Sequence, residues 1–329
     1  MSHPPARADV VHLTATDELV SAVPHLLGFH PSDSIVAIAL HGPRGRVRFT
    51  MRVDLPEPRD DVRVAREVAQ RMTHASADAV LLAVYRDQPH PPGALPRDDL
   101  VSHVARLLPV PLVDALLVVG DRYWSYLCAD PVCCPDEGRE VRPDSPGATA
   151  MAAASALQGD VVLADRAALV ATVQPVTGAA AAAMRAAMVR AAGHAVDPEL
   201  ALRRIDRLCA RYSDPPVVLR NGDAARVAVA VHHIAVRDPL LQRLAEGDEL
   251  LAQLVRAVAR LAQPPDDAPI SVMLAAVAYL RGDGVVTAAA VDRALDSDPD
   301  YSLAHLLAHC LHRQVEPSVL RAAWRGEVP

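Results

Sequence analysis

A chain of 329 residues that is 51% hydrophobic but only 3% aromatic has the apolar content for two cored domains, filled by Ala, Val and Leu rather than by rings. Its 33 basic residues are all arginine, which removes Schiff-base lysine chemistry and argues against Walker-type and kinase-type phosphoryl transfer, since each needs a lysine. A net charge of -7 argues against binding to a phosphate backbone, so nucleic acid is not an expected partner.

In chain order, Thr16 followed by Asp17 and Glu18 reads as the start of a short helix that Pro24 and Gly28 limit. "SIVAIAL" (34–40) and the alternating "RVRFTMRVDL" (46–55), joined by "HGPRG", predict a β-hairpin. A helical stripe follows at Val64, Val68 and Met72, then a buried strand "DAVLLAVY", a helix "RDDLVSHVARLL" and a strand "DALLVVG". Gly120 and Asp121 turn the chain into "RYWSYLC", expected to pair antiparallel with the strand before it. From Pro135 to Gly147 the composition shifts to Pro, Gly and charge, which marks a boundary, and the chain beyond reads as helices punctuated by Pro and Gly.

The tail, "VMLAAVAYLRGDGVVTAAAVDRALDSDPDYSLAHLLAHCL", resembles a tetratricopeptide-type helical hairpin. Small residues Ala275, Ala278, Ala290 and Ala294 sit where the helices approach, and Asp298-Pro299 ends the second one. The expected fold is therefore an α/β domain with a mixed sheet and covering helices (1–140), followed by an all-α, helical-hairpin domain (141–329). The N-terminus lacks a basic-then-apolar leader pattern and no uninterrupted apolar run approaches the roughly 20 residues of a membrane helix, so a cytoplasmic protein with reduced thiols is expected.

Several stretches, in order, resemble the domain of unknown function 4192 family of high-GC actinobacteria. They are "AVPHLLGFHPSDSIV", "RVDLP", "GDRYWSYLC", "CCPDEG" and "AYLRGDG" with "ALDSDPDYSLAHLL". The resemblance implies no activity to carry over.

Three groups of side chains are candidates for chemistry. Cys128, Cys133 and Cys134 place three of the five cysteines within seven residues. That crowding raises a zinc site or a reversible disulfide, but adjacent cysteines and the lack of a loop histidine favour plain packing, and no cofactor is expected. The second group is polar: His25 and Ser34 in "PHLLGFHPSDS", Arg52 and Asp54 two apart on one strand, and Arg122 and Trp124 two apart on another. Together they are a candidate cleft for an anionic ligand. The third, His305, His309 and His312, lies opposite a leucine stripe and reads as a solvated face. The leading expectation is a binding or scaffold protein that docks a protein partner on its helical domain; a small-ligand sensor or enzyme, and a cysteine-based redox or zinc module, are the alternatives.

Overall fold

The computed structural model describes residues 11–13, 15–89, 93–157, 161–211 and 219–327. The chain divides into two compact units, Met1–Arg166 and Ala167–Pro329.

The first unit is built on a six-stranded mixed sheet of order β2-β1-β3-β4-β5-β6. Its strands are β1 (Ser34–His41), β2 (Arg46–Asp54), β3 (Ala79–Arg86), β4 (Leu112–Val119), β5 (Arg122–Ser125) and β6 (Arg139–Glu140). Only β3 and β4 run parallel, and the helix α3 (Asp98–Leu107) makes the crossover that a parallel pair requires. The predicted hairpin is β1–β2, with β2 at the sheet edge.

Alternation along the strands divides the sheet into two apolar faces. Val36, Ile38, Leu81, Ala83, Leu116 and Val118 pack against Val20 and Val23 of α1 (Thr16–Leu27). Ile35, Ala37, Leu82, Val84 and Leu117 pack on the other face against Val64, Val68 and Met72 of α2 (Asp61–His74) and Leu100 and Val104 of α3. Helix α1 carries Asp17 and Glu18 in its first turn, where the helix dipole favours negative charge. It does not stop at Pro24: the packing of Leu26 and Leu27 on the core outweighs one missing backbone hydrogen bond, and the helix ends at Gly28 with φ +77°.

Two features depart from the sequence reading. The Pro- and charge-rich stretch after Gly138 returns to the sheet as β6, because the outer edge of β5 offers unpaired backbone groups. Helix α4 (Pro146–Leu157) belongs to the first unit rather than to the helical one, so the division falls after Arg166 and not near residue 140. The reason is polar as well as spatial. Glu18 accepts the amide N–H of Gly147 at 2.9 Å, and Asp17 pairs with Arg142 at 2.9 Å. Both carboxylates are almost fully buried, and their partners come from α4 and from the segment that leads into it.

In the second unit the regular elements among the described residues are all helices: α5 (Arg166–Val173), α6 (Gly178–Ala192), α7 (Pro198–Arg211), α8 (Asn221–Ala230), α9 (Ile234–Glu246), α10 (Glu249–Leu261), α11 (Ala268–Leu280), α12 (Gly284–Ser297), α13 (Ser302–His312) and α14 (Pro317–Trp324). Every residue of α11 is buried, which explains its unbroken apolar sequence. Residues 166–192 together have the length and mean hydropathy (1.4) of a membrane-crossing segment by composition alone. Gln174 and Pro175 interrupt them between α5 and α6, and Ala181, Met184, Ala187 and Met188 pack into the core of this unit.

Candidate functional site

The most concentrated chemistry lies in the loop from β5 to β6, and the loop is held at both ends. On the outgoing side, Ser125 Oγ donates to Asp114 at 2.8 Å and accepts the N–H groups of Leu127 (3.1 Å) and Cys128 (3.2 Å). Asp130 closes a tight turn: its side chain accepts the Val132 N–H at 2.9 Å and its carbonyl the Cys134 N–H at 2.7 Å. On the return side, Trp124 Nε1 donates to the Asp136 carbonyl at 3.0 Å, while Arg122 donates to the carbonyls of Glu137 (3.1 Å) and Gly138 (3.0 Å). Gly138 has φ +75°, and a Cβ there would lie 2.4 Å from the Trp124 ring, so only glycine fits.

This clamp turns the sulfur atoms of Cys128, Cys133 and Cys134 toward one another, all within 4.8 Å. Thiolates on a tetrahedral zinc ion, with bonds of about 2.3 Å, stand roughly 3.8 Å apart, so a small inward adjustment closes the three around one ion. Cys133 is exposed and the other two are half-buried. The backbone N–H of Asp130 and the neighbouring thiols pull the Cys128 pKa below its ordinary value, whereas burial and the adjacent sulfurs push Cys134 up to about 12. The remaining cysteines, Cys209 and Cys310, are buried in the second unit; burial raises the former thiol to about 11.

The six polar candidates do not share a cleft. Register places Ser34 opposite both Asp54 and Tyr85, and Arg52 opposite Val36, so Ser34, Arg52, Asp54 and Tyr85 occupy the α1 face near one end of the sheet. Arg122 and Trp124 pair with Val119 and Leu117, which puts them on the opposite face. Strands β2 and β5 are also four strand spacings apart, about 19 Å. His25 shares a helix face with Glu18 and Ala22, the side of α1 turned to α4 and away from the sheet.

Their individual environments are equally telling. Arg52 is held by Asp54 and by the Ser32 carbonyl at 3.1 Å, while the Asp54 side chain is 83% exposed. The Arg122 guanidinium is directed to loop carbonyls rather than toward an external anion. Burial, with His30 nearby, lowers the pKa of His25, and its Nδ1 has no hydrogen-bond partner among the described residues. Ser34 Oγ and the Tyr85 hydroxyl are likewise buried without a partner. Tyr85 was not singled out from the sequence, where it simply ends an apolar strand. A cavity of about 460 Å³ lies in the second unit among α6, α7 and α8, and none of the residues singled out from the sequence lines it.

A family model described as a domain of unknown function, DUF4192, matches residues 17–318. The chain belongs to the DUF4192 family. The match runs through the whole sheet, the cysteine loop and the helices to the start of α14. Neither a curated protein nor a solved structure matches this DUF4192 chain, so the reading of its site rests on its own geometry.

Proposed function

We propose that the protein is a binding protein whose first unit holds a soft divalent cation of the zinc class on Cys128, Cys133 and Cys134. The observation that carries this reading is the convergence of three sulfurs within 4.8 Å. A reversible disulfide needs two sulfurs, and it does not account for a third turned to the same point. Packing alone does not account for it either, because Cys133 is exposed and contributes no core. Soft thiolates select zinc or Cu(I) over hard cations such as Mg²⁺ and Ca²⁺.

The test is metal analysis of the full chain purified under reducing conditions. About one equivalent of zinc per chain is expected, lost in Cys133→Ser and in Cys134→Ser. A metal-free protein whose loop thiols are all titratable, or joined as a disulfide, overturns the proposal.

A second reading concerns the helical unit, and repeat spacing favours it. Helix α11 begins at Ala268 and α13 at Ser302, 34 positions later, which is the tetratricopeptide period. On this reading α11–α12 and α13–α14 are consecutive helical hairpins that dock a protein partner. Leu306 on α13 is 48% exposed and is a suitable probe. A partner captured from the host by the full chain, and lost with Leu306→Glu, supports the reading; identical captures by both proteins remove this face from it.

A further inference from the structure

We infer that the cation is held by only three protein ligands and that its fourth position is open to a neutral nitrogen donor from outside the chain, such as an imidazole. This rests on the cation reading above. Closed structural zinc sites supply four protein ligands, whereas sites that act on something keep one position for water or an incoming group.

Here the described residues supply three. Among the described residues, no other His, Cys, Asp or Glu ligand atom joins the three sulfurs. The two loop carboxylates nearest in sequence, Asp130 and Asp136, are not in the group of three, and one Asp130 oxygen already accepts the Val132 N–H. The carbonyls of Asp136, Glu137 and Gly138 are drawn to Trp124 and Arg122. The open side is the solvent side, since Cys133 is exposed and flanking Leu127 and Val132 are 53% and 89% exposed.

Charge bears on the donor class. Three thiolates on a divalent ion leave a net charge of about -1 on the centre. Asp130, Asp136 and Glu137 in the same loop add negative charge, which Arg122 on the return side offsets in part. A further anion meets repulsion at close range that a neutral imidazole does not. The exposed Leu127 and Val132 give an incoming ring an apolar rim to rest on.

Cobalt(II) substitution of the full chain tests this directly, because its visible absorption reports the number and type of ligands. The first step is the tetrahedral thiolate spectrum itself, which Cys133→Ser should abolish. Imidazole and a small thiol, 2-mercaptoethanol, are then titrated separately into the cobalt protein. The expected result is a saturable shift of the visible bands with imidazole, at a lower concentration than with the thiol. Bands that neither donor shifts mean a closed site and overturn this inference while leaving cation binding intact. A thiol that binds more tightly than imidazole overturns the donor class. If no tetrahedral cobalt spectrum forms, the cation reading fails, and this inference falls with it.

Discussion

Two polar clusters, one in each unit, show how differently a protein uses concentrated chemistry. In the second unit Arg293 and Asp267 are almost completely buried, and each of their polar atoms is met from within the chain. Arg293 donates to Asp267 at 2.8 Å and to the carbonyls of Val173 (2.6 Å) and Ala262 (2.9 Å), while Ser297 donates to the other Asp267 oxygen at 2.5 Å. The network ties α12 to the end of α5 and to the α10–α11 junction, and burial lowers the arginine pKa against the opposing pull of Asp267. In the first unit three sulfurs face one another, and their partners are one another and the Asp130 backbone rather than an opposite charge. A cluster in which charge is matched within the chain is architecture, whereas ligand atoms that converge with no opposite charge invite a cation.

That contrast can be broken most sharply at the satisfied cluster. Asp267→Ala leaves a buried, uncompensated guanidinium and should cost about 3–5 kcal/mol in urea unfolding. Replacing Arg293 by Met in the same chain should restore part of the loss, but not all, because the carbonyls of Val173 and Ala262 remain unpaired. A loss below about 1 kcal/mol for Asp267→Ala would deny the network its structural role.

In the loop, the pair Gly138→Ala and Gly120→Ala isolates the clamp. Both glycines have positive φ, but a Cβ at Gly120 meets nothing within 4 Å, whereas at Gly138 it strikes the Trp124 ring. Thermal unfolding of the first unit should register about 2–3 kcal/mol for Gly138→Ala and about 1 kcal/mol for Gly120→Ala. Equal costs would mean that Trp124 yields freely and does not hold the loop. Trp124→Phe removes the indole hydrogen bond to the Asp136 carbonyl together with part of the ring's packing and should cost about 1–2 kcal/mol, with weakened cation retention as the second readout.

His25 is a smaller matter of pH. Its folded pKa lies below the ordinary 6.5, so the native state holds fewer protons than the unfolded one. The resulting stability is present above that value and is lost as pH falls through it toward the lowered pKa. Melting temperatures across this range should decline less steeply for His25→Gln; parallel declines would remove His25 as the source. Smallest of all is Asp54→Asn, whose exposed partner role should change stability by less than about 0.5 kcal/mol in the same assay.

Much of the first unit was legible from the amino acids because its strands and helices repeat at distinct periods. Strands β1 to β5 and helices α2 and α3 follow alternating or helical patterns that survive in isolation. Strand β6 was not legible: its Arg139 and Glu140 carry no strand preference, and they pair only because β5 presents an open edge. Nor was the allegiance of α4, since its Ala-rich sequence does not reveal that Glu18 and Asp17, far earlier in the chain, need its N-terminal end and Arg142.

The site divides the same way. The cysteines could be named from the sequence, but spacing alone argued against their meeting at one point; the Asp130 turn and the Arg122 and Trp124 clamp bring them together. The polar cleft fails for the complementary reason. Alternation places Arg52 with Asp54, and Arg122 with Trp124, but it cannot say which face of one strand continues into which face of another. That depends on register and strand order, and both are settled by long-range pairing.

By itself, then, the sequence determined the chemistry that an all-arginine chain cannot perform, the α/β character of its beginning, and the identity of the three thiols. Only the tertiary structure decided that those thiols converge and that the six polar residues part. Composition and period act locally, whereas convergence in space is a property of chain closure.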